Sequence, residues 1–312
     1  MTVLFTHPDC LEHDTAPGHP ERSDRLRAIL EALQAEEFNG LHREEAPQAS
    51  EAMLLRVHST EHVELVRRSI PQNGWSALDP DTVVSPGSWL AALRAAGAMA
   101  SAVDRVLSGR ATNAFCAVRP PGHHARPTGP MGFCLFNNIA IGAMQARHVH
   151  GVKRIAVVDF DVHHGNGTQE SFQNDPDLFF ASTHQAGAYP GTGWARDKGV
   201  ADNILNLPLH AGSGSQIWRA MMSEHLLPKL REFAPELILI SAGFDAHQDD
   251  PLAQLNLRSD DFFWGTGEIC KVAAACCEGR VVSTLEGGYD LPALASCTAA
   301  HVRALMAGVA EG

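Results

Sequence analysis

From Val157 to Gly165 the chain reads VVDFDVHHG, an apolar run that ends in two aspartates and two histidines. Ionisable groups at the end of a buried strand are costly unless each meets a partner or a metal ion. Side chains alternate across an extended segment, so Asp159, Asp161 and His163 are expected on one side and His164 on the other. An aspartate and a histidine two residues apart offer an oxygen and a nitrogen donor, a pair suited to a divalent cation such as zinc. D-x-H recurs by chance, so a third donor is needed. Asp245 supplies one, directly after the apolar run LILISAGF. Two aspartates and one histidine leave coordination positions open for water and substrate, as a catalytic site requires.

Other reactive side chains follow other apolar runs. AFCAV leads into RPPGHHA with His123 and His124, and VVSTLEGG leads into Tyr289. A neutral imidazole can take a proton from water during attack on a carbonyl. Asp159 can fix the tautomer of one imidazole or keep it protonated. Gly287 and Gly288 permit an unusual backbone path and close approach before Tyr289. A phenol placed there can donate a hydrogen bond to a developing oxyanion.

These residues need a scaffold that brings four strand ends together. Strands are expected at Val3–Thr6, Asn113–Val118, Arg154–Asp161, Leu178–Thr183, Leu237–Ser241 and Arg280–Leu285. Leu26, Ile29, Leu30 and Leu33 lie at helical spacing. Further helices are expected at Ser88–Leu107, Asn138–Val149, Ser215–Phe233, Ser259–Cys277 and Pro292–Ala307. Strands apolar on both faces, alternating with helices, imply an α/β fold: one three-layer domain over residues 1–312, with a mainly parallel central sheet flanked by helices. Ligands of such sheets bind beyond the carboxyl ends of the strands, where the reactive residues collect. The glycine- and proline-rich segments 120–132, 187–193 and 243–251 read as long functional loops.

Composition narrows the function classes. A formal charge of −12 argues against a phosphate-gripping nucleic-acid binder and against attraction to anionic membranes. The seven cysteines form no C-x-x-C pair and sit mostly in apolar runs, as reduced, buried thiols would. The opening MTVLFTHPDC shows no secretory signal pattern, and no apolar run approaches a membrane span. A cytoplasmic protein is expected.

GHPERSDRL, RPPGHHA, GFCLFNN, VVDFDVHHGNGTQ, PGTG, SAGFDAH and EGGYD stand in the order found in zinc-dependent histone deacetylases. The chain resembles the class II branch and its bacterial homologues, of the arginase–deacetylase fold. The resemblance implies one zinc ion on Asp161, His163 and Asp245. It implies His123 and His124 as the catalytic imidazoles, with His124 the general base and His123 held by Asp159, and Tyr289 as the oxyanion donor. Gly132, Phe133 and Tyr189 would line an acyl-lysine channel, with Leu252, Gly287 and Gly288 also along it. Potassium is implied at Asp159, Asp161, His163, Ser182 and Thr183, partly through main-chain oxygens. Asn166 stands where many class I relatives have an aspartate, so His124 should be less basic than theirs. Tyr189 replaces a common phenylalanine. Leu252 cannot attract a second amine as the glutamate of vertebrate acetylpolyamine deacetylases does. Asp79 and Asp81 would sit at the rim and bind a substrate amide.

The expected substrate is an acylated lysine or a similar small acylated amine, with no nucleic-acid or membrane partner and a homo-oligomer left open. Competing readings are an acetylpolyamine or other small-molecule amidohydrolase, a binuclear ureohydrolase of the same fold, and a non-catalytic binder of acetylated ligands. Gly165, two residues after His163, offers no ligand for a second metal. His164 is expected to make a structural hydrogen bond, and His247 to have at most an indirect role beside Asp245.

Overall fold

A computed structural model describes residues 1–310. Strands β1 (Thr2–Thr6), β2 (His42–Glu45), β5 (Asn113–Cys116), β6 (Ile155–Asp159), β7 (Leu178–Gln185), β8 (Ile204–Leu209), β9 (Leu237–Ala242) and β10 (Val281–Leu285) form one sheet. Its order is β2-β1-β5-β10-β9-β6-β7-β8, and every pairing is parallel. Two short strands, β3 (Ser76–Ala77) and β4 (Val83–Val84), make a separate antiparallel pair. The four strands that carry the reactive residues, β5, β10, β9 and β6, are consecutive neighbours at the centre. Their carboxyl ends therefore share one edge, as the sequence pattern requires.

Helices α1 (Ser23–Ala32), α2 (Glu51–Leu54), α3 (Thr60–Ser69), α4 (Ser88–Leu107), α5 (Asn138–His150), α6 (Asn166–Phe172), α7 (Ser215–Met221), α8 (Leu227–Phe233), α9 (Ser259–Cys277) and α10 (Leu291–Ala310) cover the sheet. The pairs α4–α5 and α9–α10 pack most closely, with α1 against α10. Strands β6, β9 and β10 are buried at every residue, so both faces are covered and the expected three layers form. One hydrophobic cluster runs through the sheet, and a smaller one links α3 and α4 to Phe136.

Local chemistry sets the ends of α5. The Asn137 side chain accepts the Ala140 N–H at its start, and Gly151 turns left-handed at its end. The expected helix Ser215–Phe233 is interrupted by a π turn at residues 222–226. Pro228 has no N–H for the ordinary i−4 bond, and Leu227 reaches back to Met222 instead. The expected strand Arg154–Asp161 ends earlier, at Asp159. Edge strands β2 and β8 and helices α3 and α6 were not expected. The sequence HREE of β2 is largely exposed and has no apolar alternation to reveal it. All seven cysteines are free thiols, six of them buried. No helix among the described residues is long and apolar enough to cross a membrane.

Candidate active site

Asp159 is the last residue of β6, and the chain then leaves the sheet through side-chain-capped turns. The Asp161 N–H donates to Asp159 Oδ1 at 3.1 Å, and the His163 N–H to Asp161 Oδ1 at 2.8 Å. Strand alternation thus does not gather Asp161 and His163; local aspartate turns do. From the neighbouring strand end, Asp245 Oδ1 accepts the Val162 N–H at 2.8 Å. His163 Nδ1 lies 3.1 Å from Asp161 Oδ1 and 3.0 Å from Asp245 Oδ2. One donor atom from each of the three residues falls within 4.8 Å of the others.

The surroundings are shaped for this cluster. A Cβ at Gly243 would stand 2.0 Å from Asp161 Oδ2, and one at Gly287 2.2 Å from Asp245 Oδ2. Only bare backbone fits beside these carboxylates. Burial alone would pull the His163 pKa down, yet Asp161 and Asp245 hold it well above the ordinary value. Burial and the nearby Asp161 charge push Asp245 up. Two buried carboxylates here must be compensated, by a proton on His163 or on Asp245 or by a cation. An oxygen, nitrogen and oxygen set of this size fits a divalent ion.

The tandem imidazoles lie alongside, their ring centroids 4.0 Å apart. His123 Nδ1 donates to Asp159 Oδ2 at 2.9 Å, and its Nε2 is 3.8 Å from Asp161 Oδ2. Burial opposes its charge, but Asp159 and Asp161 outweigh burial and raise its pKa to about 10. His124 Nδ1 donates to Asn166 Oδ1 at 2.8 Å, while the Asn166 amide N–H faces Met131 Sδ. Burial, with the charges of His123 and His163, holds His124 well below its ordinary pKa. Neighbouring imidazoles with opposite shifts make an acid and a base of one residue type. Burial pushes the Tyr289 phenol well above its ordinary range, so it stays a neutral donor. The Arg25 guanidinium lies 4.9 Å from its ring centroid, and its main-chain N–H donates to Asp250 Oδ2 at 2.7 Å.

A cavity of about 230 Å³ opens onto this cluster, with His123, His124, His163 and Tyr289 on its surface. Gly132, Phe133, Tyr189, Leu252 and Gly287 line it, as does Asp81. A Cβ at Gly132 would stand 2.5 Å from the His124 ring and 2.9 Å from Tyr189. Gly288 does not line the cavity; its carbonyl accepts Arg25 Nε at 2.6 Å and its φ of 119° shapes the turn. Asp79 is also off the wall, its Oδ1 accepting the N–H groups of Asp81 and Thr82. Asp81 Oδ1 accepts the Gly132 N–H at 3.2 Å. Ser182 pairs in register with Asp159. The Ser182 hydroxyl meets His184 Nδ1, and the Thr183 hydroxyl accepts Trp218 Nε1. His164 binds Thr192 Oγ1 and Gln169 Oε1, a structural role, and His247 Nδ1 accepts the Asp249 N–H.

Several contributors escaped the sequence reading. Glu286, at 0% exposure, sits under the histidine loop, and burial lifts its pKa to about 7. Arg25, equally buried, bonds Glu21 and the carbonyls of Glu286 and Gly288. Asp250 accepts the N–H groups of both Leu252 and Tyr289. His19 bridges the Asp81 carbonyl, at 3.1 Å, and the Phe133 ring, 4.8 Å away. A glutamate opening EGGYD at a strand end was the one visible signal; the rest depend on contacts far apart in sequence.

Residues 19–305 match the family described as histone deacetylase domain. The chain is 40% identical to Histone deacetylase 10, chloroplastic, of Oryza sativa subsp. japonica, over 97% of this chain and 73% of that protein. It is 40% identical to a histone deacetylase-like amidohydrolase of Pseudomonas aeruginosa, over 93% of this chain and 77% of the relative. The crystal structure of the HDA15 HD domain superposes with a TM-score of 0.91 at 34% identity, covering 98% of this chain and 89% of that one.

Proposed function

Because the chain belongs to the histone deacetylase family, we propose that it is a zinc-dependent deacylase that hydrolyses the amide of acetyl-lysine or a similarly acylated amine. The observation that carries this reading is the donor cluster Asp161, His163 and Asp245 at the cavity that also holds two oppositely tuned imidazoles and a neutral phenol. Those three residues would hold the zinc ion, which when bound polarises an acyl carbonyl and acidifies water. Tyr289 donates a hydrogen bond to the carbonyl oxygen as it gains charge. His124 spends its Nδ1 proton on Asn166, so Nε2 is free to take a proton from the attacking water. His123, kept charged by Asp159, stabilises the anionic intermediate, and a protonated imidazole of the pair returns a proton to the leaving amine. Gly132, Phe133 and Tyr189 enclose the aliphatic stem, with Leu252 at the mouth. Asp159, Asp161, His163, Ser182 and Thr183 would take a potassium ion, partly through main-chain oxygens. One catalytic domain and a cytoplasmic location complete the reading; the seven free thiols suit a reducing compartment.

Asp81 at the cavity favours one alternative, since a carboxylate there could pair with the second amine of an acetylpolyamine. Leu252, apolar and 42% exposed at the same cavity, opposes it. Competition between an acetyl-lysine peptide and acetylputrescine separates the two. The primary test is chelator-sensitive release of acetate from an acetyl-lysine amide, repeated with Tyr289→Phe. Turnover should fall about 10²–10³-fold, the usual cost of losing an oxyanion donor. Wild-type turnover at unchanged metal content would eliminate the proposed role.

A further inference from the structure

Glu286 is wholly buried and lies outside both the donor cluster and the imidazole pair. A buried carboxylate persists only where donors meet its oxygens. Oε2 accepts the main-chain N–H groups of Gly122, at 2.7 Å, and His123, at 3.1 Å. Oε1 accepts the Ser241 hydroxyl at 3.1 Å, from the end of β9. Pro120 and Pro121 have no N–H, so Gly122 and His123 are the first main-chain donors after Arg119. Gly122 is wedged in place, since a Cβ there would stand 2.5 Å from the Asn138 nitrogen.

The backbone of Glu286 is fixed as firmly as its side chain. Its N–H donates to the Ala242 carbonyl at 3.0 Å, and its carbonyl accepts an Arg25 guanidinium N–H at 2.5 Å. The next residue, Gly287, donates its N–H to Asp161 Oδ2 at 2.8 Å. Tyr289 follows two residues later, anchored by Asp250. From these contacts the geometry points to Glu286 as a positioning residue that sets the distance between the imidazole loop and the tyrosine turn. Base and oxyanion donor follow different strands, β5 and β10, and this carboxylate hydrogen-bonds from one loop to the backbone of the other, beside the edge contact of Phe133 with the Tyr289 ring. Losing it lets the imidazoles shift against the phenol, and a misplacement near 1 Å costs about 10²-fold in rate.

The kinetic arm rests on the deacylase reading; a second arm does not. Glu286→Gln keeps an oxygen for both N–H groups and an amide for Ser241. Glu286→Ala removes all three bonds, and Glu286→Asp keeps the charge but is one methylene too short. With metal-loaded full-length protein, Glu286→Ala should lower kcat by about 30–100-fold with KM within about 3-fold, and Glu286→Asp should also fall. Glu286→Gln should stay within about 3-fold of wild type. Hydrogen exchange of residues 119–125 should quicken in Glu286→Ala and not in Glu286→Gln. Should the alanine variant fail to fold, the aspartate and glutamine variants decide by the same measurements. Unchanged kcat in Glu286→Ala or Glu286→Asp, or unaltered exchange in the alanine variant, overturns the proposal. So does a glutamine variant as slow as the alanine one, which would make charge and not placement the cause. A wild type inactive on acyl amides removes the deacylase reading, while exchange still decides the placement.

Discussion

Replacing Asn166 by aspartate should move the acid limb of the reaction upward in pH. Asn166 Oδ1 is 2.8 Å from His124 Nδ1, so the new carboxylate would face the imidazole across one hydrogen bond. Charge centres about 4 Å apart attract by about 4 kcal/mol at an effective dielectric near 20. That is about 3 pKa units at 1.36 kcal/mol each. Desolvating the carboxylate offsets part of this, leaving a net rise of about 1–2 units. The sign follows from the state required. As the proposed base His124 must be unprotonated; wild-type burial and its charged neighbours hold its pKa well below the ordinary value, and a raised pKa would protonate it at higher pH. The variant should lose activity first at acidic pH and recover, or exceed, the wild-type rate on the alkaline plateau. The assay is kcat/KM on an acetyl-lysine amide across the pH range, with metal content measured at each end. A limb that moves by less than about 0.3 unit would refute His124 as the base facing Asn166.

Asp159→Asn removes the main partner of His123, whose pKa near 10 depends on that carboxylate. The alkaline limb should move to lower pH and kcat fall by about 10²-fold or more, read from a pH–rate profile. Gly243→Ala places a methyl group where Asp161 Oδ2 stands, 2.0 Å from the ideal Cβ position. It should abolish metal retention and destabilise the chain by about 1–3 kcal/mol, measured by metal analysis and denaturant unfolding. Leu252→Glu adds a partly exposed carboxylate at the cavity mouth and should raise the acetylputrescine to acetyl-lysine rate ratio by about 5-fold, the worth of about 1 kcal/mol. An unchanged ratio would show that the second amine does not reach this wall.

Elements with long, strongly apolar patterns could be read from the sequence almost to the residue. Ser88–Leu107 and Ser259–Cys277 occur with the expected bounds, and the six expected strands all lie in the sheet. Strand ends were less legible. Asp161 looks like the last strand residue in VVDFD, but beyond Phe160, whose N–H still donates to the Ser241 carbonyl at 3.3 Å, the Asp161 and His163 N–H groups turn to aspartate side chains. The candidate metal donors and imidazoles stand out because such residues are rare beside buried strands, whereas the channel, potassium and Asn166 expectations come from the resemblance to histone deacetylases. Their support could not. Arg25 lies 261 residues before the Glu286 carbonyl it holds, and such pairs leave no local periodicity. The resemblance puts Gly288 along the channel, whereas its carbonyl turns to Arg25.

Metal analysis of the purified protein tests the central assignment most directly. Zinc should be retained at one equivalent per chain, and lost together with acetyl-lysine hydrolysis in Asp245→Ala. Two equivalents, or an Asp245→Ala protein that keeps its metal, would contradict a single ion held by Asp161, His163 and Asp245.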